Sequence, residues 1–203
     1  MHKTLFLFFI LFLLLSGFTL SAQELEPDPE EPEWTEIETS PYMPGDKTFN
    51  INIGVIFPTY FGGGEIADNK HGLSIGGTLS LSWNYFLTAN FFAGAEVSAM
   101  FSSTRGKNML FMVPFGLRAG YQFLFRRFEI PISIMAGAAG ERYLDNGYIG
   151  PILKPGASVF WRYSPEWSFG LNAMWWFVPQ WPKNGYSVYG NFMELTLSAR
   201  YHF

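Results

Sequence analysis

The feature that most constrains this chain is an alternation of apolar and polar residues that begins at Phe49 and recurs in eight segments up to Phe203. In the first segment Phe49, Ile51, Ile53, Val55 and Phe57 share one parity, and Asn50, Asn52 and Gly54 share the other. A period of two sends successive side chains to opposite faces of an extended strand, and no stretch after Phe49 keeps a helical period instead. The remaining segments cover 73–83, 89–101, 109–122, 128–140, 152–163, 167–178 and 188–203. Short turns are expected around 84–86, 124–127 and 164–166, and longer loops near 58–72, 102–108, 141–151 and 179–187. An even number of strands, joined by short turns at one end and longer loops at the other, describes an all-β fold. It is an eight-stranded antiparallel up-and-down barrel with both chain ends on the short-turn side.

Alternation alone does not say which face meets water, because a soluble barrel or sandwich would turn the apolar parity inward. Composition decides. Only 15% of the 203 residues are charged while 19% are aromatic. The polar parity is mostly Gly, Ser, Thr and Asn, whereas a water-facing surface needs far more Lys and Glu. Aromatic residues also gather near strand ends, as in Trp83-Asn84-Tyr85-Phe86, Trp161 with Tyr163 and Trp167, and Trp175-Trp176 with Trp181. Aromatic girdles of this kind mark the two interfaces of a transmembrane barrel, so the apolar parity is assigned to lipid.

Three blocks precede or make up that barrel. Residues 1–22 have a basic start at Lys3, an apolar run from Leu5 to Leu15 and a small residue at Ala22, the three parts of a secretory signal peptide. Residues 23–47 hold nine acids before Lys47 and are rich in Pro and Glu, a composition expected to give a flexible periplasmic linker. Trp34, Ile37, Tyr42 and Met43 are exceptions that could dock on something. Residues 48–203 form the barrel, whose basic balance offsets the acidic linker. The absence of cysteine excludes disulfides, thiolate metal sites and an N-terminal lipid anchor.

The last segment, Met193-Glu194-Leu195-Thr196-Leu197-Ser198-Ala199-Arg200-Tyr201-His202-Phe203, alternates to a terminal aromatic. With the leader and the eight strands it resembles the small bacterial outer-membrane β-barrels of the OmpA, OmpX and OmpW type. The resemblance implies a monomer in the outer membrane, with both termini periplasmic and lipid around the wall. It also implies an assembly machinery that reads Leu197, Tyr201 and Phe203.

The inward parity points to two zones. Toward the loops lie Met100, Leu110, Met112, Met174, Trp176 and Val178, an apolar funnel that either fills space or binds a small hydrophobic ligand. Toward the middle and the short turns lie Glu96, Arg118, Glu129, Arg162, Glu194, Arg200 and His202, a charged plug in which Glu96 and Arg118 are cross-strand partners. An eight-stranded barrel is just wide enough for side chains to fill it, so a wide aqueous pore is not expected. Resemblance to OmpW-like barrels implies passage of small hydrophobic compounds from such a funnel sideways through the wall. A structural or adhesive barrel acting through its loops is the alternative, and a lipid-modifying enzyme using His71 with Ser74, Glu65 and Asp68 is a third. No metal or cofactor is expected, since the histidines left after the leader, His71 and His202, have no ligand spacing. Nucleic acid is not an expected partner either, because the basic loop residues belong to no nucleic-acid-binding motif.

Overall fold

The computed structural model describes residues 42–63, 72–104, 108–143, 146–181 and 187–203. The chain rises and falls eight times, as β1 (Lys47–Gly62), β2 (Gly76–Phe86), β3 (Phe91–Ser103), β4 (Met109–Phe125), β5 (Phe128–Tyr143), β6 (Asn146–Arg162), β7 (Trp167–Gln180) and β8 (Val188–His202). Each strand pairs antiparallel with its sequence neighbours, and β1 pairs with β8 from Thr48 against His202 to Gly62 against Tyr189, closing the barrel. Closure leaves no sheet edge, which is what allows every backbone group to be satisfied inside a bilayer.

The two parities separate as their chemistry requires. Leu117, Leu197, Ile53 and Leu171 stand on the outer surface, between 61% and 74% exposed, in a continuous apolar wall far larger than water-soluble monomers tolerate. Aromatic rings cluster where that wall ends, for example Trp83 and Phe203 with centroids 5.2 Å apart and Trp167 and Tyr201 at 5.0 Å. Inside, Asn50, Asn52, Thr78, Ser80, Ser82, Ser158, Asn172, Thr196 and Ser198 are buried. Several link strands, as Asn50 does to Ser82 on the neighbouring β2 at 3.0 Å and Asn172 does to Asn52 on β1, across the width of β8, at 2.8 Å.

The structure corrects several boundaries. Residues 84–86 are not a turn: β2 continues to Phe86, and the chain reverses over 87–90, where Thr88 Oγ1 accepts from the Phe91 amide at 3.0 Å. Leu73 is not on the lipid face; it bridges to Thr104 and packs on the interior apolar cluster. The loop expected at 141–151 is instead strand, with Glu141 against Tyr148, Arg142 against Gly147 and Tyr143 against Asn146, which leaves only residues 144 and 145 between β5 and β6. Charged residues and glycines obscure the alternation there, but backbone pairing does not need apolar side chains. At the opposite end, Arg126 and Arg127 make a two-residue turn in which Arg126 takes a φ of 54°, the left-handed region such hairpins demand.

Candidate functional site

The six residues expected to line a funnel do come together. Met100, Leu110, Met112, Met174, Trp176 and Val178 form one cluster with Ile56, Met135, Ala139, Ile152 and Phe192 at the loop end of the barrel. None of the six is more than 8% exposed, so the funnel is closed and filled by side chains in this conformation. The five additional members could have been found by carrying the inward parity further along each strand, from Gly54 to Ile56 or from Glu194 to Phe192. Trp176 is fully buried, whereas Trp175 faces outward and donates from Nε1 to Asn191 Oδ1 at 3.1 Å.

Below this chamber, charged residues occupy the barrel in two groups. In the first, Glu96 meets Arg118 Nη1 at 3.2 Å and also Lys154 Nζ, and Lys154 lies 3.4 Å from Glu194. Arg118 is further held by Ser133 and Ser82, and Lys154 sits 4.3 Å from the Trp176 ring centroid. Trp176 Nε1 donates to Glu194, so the indole ties the apolar chamber to the charged layer. Glu96 thus meets the expected Arg118 and also Lys154, which shares the inward parity but carries no cue to this pairing in the sequence.

In the second group, nearer the short turns, Glu129 is the hub. Arg200 Nη1 lies 2.9 Å from its Oε2, and Arg162 Nε lies 2.9 Å from Oε1 as a charge contact rather than a directed hydrogen bond. Arg200 also donates to Gln122 Oε1 and Asn50 Oδ1, both at 2.9 Å, and stacks its guanidinium 3.8 Å from the Phe160 centroid. Charges this deep persist only when paired and hydrogen-bonded.

Tyr42, in the segment expected to be linker, closes the short-turn mouth. Its ring stacks on Phe86 with centroids 3.8 Å apart and planes 7° from parallel, and its hydroxyl donates to Glu129 Oε2 at 2.9 Å. Burial, reinforced by the Glu129 charge and opposed by Arg200 and Arg162, pushes the Tyr42 hydroxyl up to about 12, which keeps it a neutral donor. The Gly45 amide donates to Phe86 O and the Phe86 amide to Asp46 O, both at 2.9 Å, so residues 42–46 are fastened to β2 before β1 begins. Residues 1–41, with Trp34 and Ile37, lie outside the described residues. Tyr42→Ala should lower stability by about 2–3 kcal/mol, the sum expected for one large buried ring and one charge-assisted hydrogen bond. Urea unfolding in lipid vesicles checks this, and a loss below about 0.5 kcal/mol would show that the segment does not hold the mouth closed.

His202 is placed against catalysis. Arg162 Nη2 lies 3.0 Å from its Nδ1 and has only protons to offer, so Nδ1 accepts and Nε2 carries the hydrogen. Nε2 then donates to Ser168 Oγ at 2.8 Å, the reverse of the proton flow needed to activate a serine. His71, Glu65 and Asp68 lie outside the described residues; Ser74 is bound to the loop end of β3, its carbonyl accepting from Ser102 Oγ at 2.6 Å. Leu197 and Phe203 stand on the outer face of β8 and beyond it, with Tyr201 packed edge-on to Phe203 at 4.9 Å.

The wall itself has an interruption beside the apolar chamber. The pairing of β6 with β7 runs from Arg162 against Ser168 to Leu153 against Phe177, skips Lys154 and Pro155, and does not continue toward the loops among the described residues. The same register carried further would oppose Ile152 to Val178 and Pro151 to Pro179. Two prolines facing each other have no N–H for a ladder. Above the seam, the Trp181 amide donates to Tyr148 Oη at 2.9 Å and holds the two strands together. Ile152 and Val178, which flank the seam, both belong to the interior cluster.

Comparison with known proteins agrees with this architecture. A protein-family model matches residues 26–201. An uncharacterized protein of Treponema pallidum (strain Nichols) is 30% identical over 167 residues, covering 77% of this chain and 76% of that protein. A second uncharacterized protein from the same strain is 32% identical over 68 residues, 34% of this chain and 23% of its own length. Among solved structures, Neisserial surface protein A superposes with a TM-score of 0.58 at 11% identity, over 78% of this chain and 97% of that one. The outer membrane protein OprG from Pseudomonas aeruginosa gives 0.54 at 9% identity, over 80% and 97%. The chain therefore belongs to one family with the 30%-identical treponemal protein, and its fold is that of the small eight-stranded outer-membrane β-barrels.

Proposed function

We propose that the protein is a monomeric outer-membrane barrel, with both termini in the periplasm, that admits small hydrophobic molecules into its loop-side chamber and releases them sideways between β6 and β7. The observation that carries this reading is the coincidence of an apolar interior cluster with a stretch of wall where the β6–β7 ladder ends and two prolines would face each other. A lateral route avoids the polar layers below, through which an apolar molecule would have to strip paired charges. Four methionines, Met100, Met112, Met135 and Met174, line the chamber, and flexible thioethers can repack around a guest at little cost. The outward aromatic end of β8 at Tyr201 and Phe203 supports the expected recognition by an assembly machinery.

The chain has no cysteine, so one pair can be introduced cleanly. In vesicles with lipopolysaccharide in the outer leaflet, the Ile152→Cys/Val178→Cys protein should speed entry of an alkyl-chain dye when reduced. When oxidised, the cross-linked seam should return entry to the protein-free rate. Equal entry in both redox states would contradict the lateral route.

A further inference from the structure

Four carboxylates point into the described barrel, and they are not treated alike. Glu96 and Glu194 face Lys154, with Arg118 also on Glu96, and Glu129 faces Arg162 and Arg200. Among the described residues Glu141 is met only by the neutral amide of Gln180, which donates to Oε2, while Oε1 has no hydrogen-bond partner. Glu141 is only 8% exposed, so bulk solvent has little access to it. It lies on the inward face of β5 one alternation beyond Ala139, with Met112 and Tyr148 as its neighbours across β4 and β6. Gln180 follows Val178 and Trp176 on the inward face of β7. The unmatched oxygen therefore stands at the loop-side limit of the apolar chamber, where an unsatisfied buried acceptor carries its full desolvation cost.

We propose that Glu141 is the head-group site of this chamber and that the class of molecule it selects is an amphiphile with a primary ammonium head, such as a medium-chain alkylamine. The inference rests on the chamber reading above and names its ligand class. A primary ammonium supplies both the charge that Gln180 lacks and N–H donors for Oε1, with its chain directed toward Met112, Met174 and Trp176. A carboxylate head would be repelled, an alcohol would donate without balancing charge, and a quaternary ammonium would balance charge without donating.

Calorimetric titration of the full-length protein in lipid nanodiscs, corrected with empty nanodiscs, tests this using octylamine, octanol, octanoate and octyltrimethylammonium. Wild type should bind octylamine roughly tenfold more tightly than octanol, in line with one charge-assisted hydrogen bond. Octanoate should bind most weakly, and octyltrimethylammonium should fall below octylamine. Glu141→Gln should reduce octylamine to the octanol level and leave octanol unchanged. Equal binding of octylamine and octanol by wild type overturns the head-group site but leaves the chamber standing, whereas no binding of any probe overturns both. Octyltrimethylammonium matching octylamine overturns the primary-ammonium class. Should Glu141→Gln fail to fold, the order of the four probes on wild type decides the matter alone.

Discussion

Glu129→Ala should be the most damaging single change in the barrel interior, with an expected loss of about 3–5 kcal/mol, the scale for stranding a buried partner charge. Its carboxylate balances both Arg162 and Arg200 and accepts the Tyr42 hydroxyl, so removing it strands two cations and loosens the closed mouth together. Arg200→Met added to Glu129→Ala should recover part of the loss, since one of the stranded cations is gone. Urea unfolding of the protein in lipid vesicles measures both variants. Additive effects, or a single-variant loss below about 1 kcal/mol, would show that the network is not the coupled unit its distances indicate. The Glu96 group is built differently: removing Glu96 strands Arg118 but leaves Lys154 still facing Glu194, so the damage there should be smaller.

Gly137→Val is the second large effect, and its cause is steric. Gly137 and Gly116 oppose each other across β5 and β4. A Cβ on Gly137 would sit 2.1 Å from the Phe115 carbonyl oxygen and 2.5 Å from Gly116 Cα, both backbone atoms that cannot swing aside. Two facing glycines let the strands approach and bend, a device small barrels use to close. The expected cost is about 3 kcal/mol, the upper end for overpacking, with Gly137→Ala costing less. The same unfolding assay, together with the unheated gel mobility of the folded barrel, reports the change. A valine variant as stable as wild type would mean that β4 and β5 can separate freely at this point.

The strand count, the assignment of the apolar parity to the outside and the closed barrel were all legible in the alternation, because a period of two fixes the face of every residue in a strand at once. The same parity placed Met100, Met112, Met174 and Trp176 in one chamber and Glu96, Arg118, Glu129 and Arg200 beneath it. It also placed Lys154 inside, but which charges touch depends on stagger between non-adjacent strands, which a linear pattern does not contain. The loop-side extension of the β5–β6 hairpin was hidden because Glu141, Arg142, Gly147 and Gly150 read as loop chemistry, while their pairing is made by backbone alone. Pro151 and Pro179 are visible in the sequence, yet only the register reveals that they would face each other. Tyr42 stood out as an aromatic residue in an acidic, proline-rich stretch; that it enters the barrel follows from the stack on Phe86 and the Glu129 hydroxyl contact, neither of which has a local signature.

At the centre of this picture is a lipid-spanning barrel whose interior is filled by the described side chains, and the proposed lateral route requires that the axis stay closed. Glu129 and Arg200 from one charged group, Lys154 from the other and Trp176 from the apolar chamber are each at most 1% exposed. Conductance of purified, refolded protein in a planar lipid bilayer tests this most directly. Insertion without discrete channel openings, in a membrane as resistive as the protein-free one, is the predicted result. Reproducible ohmic steps that scale with the amount of inserted protein would contradict it and make the barrel axis the path.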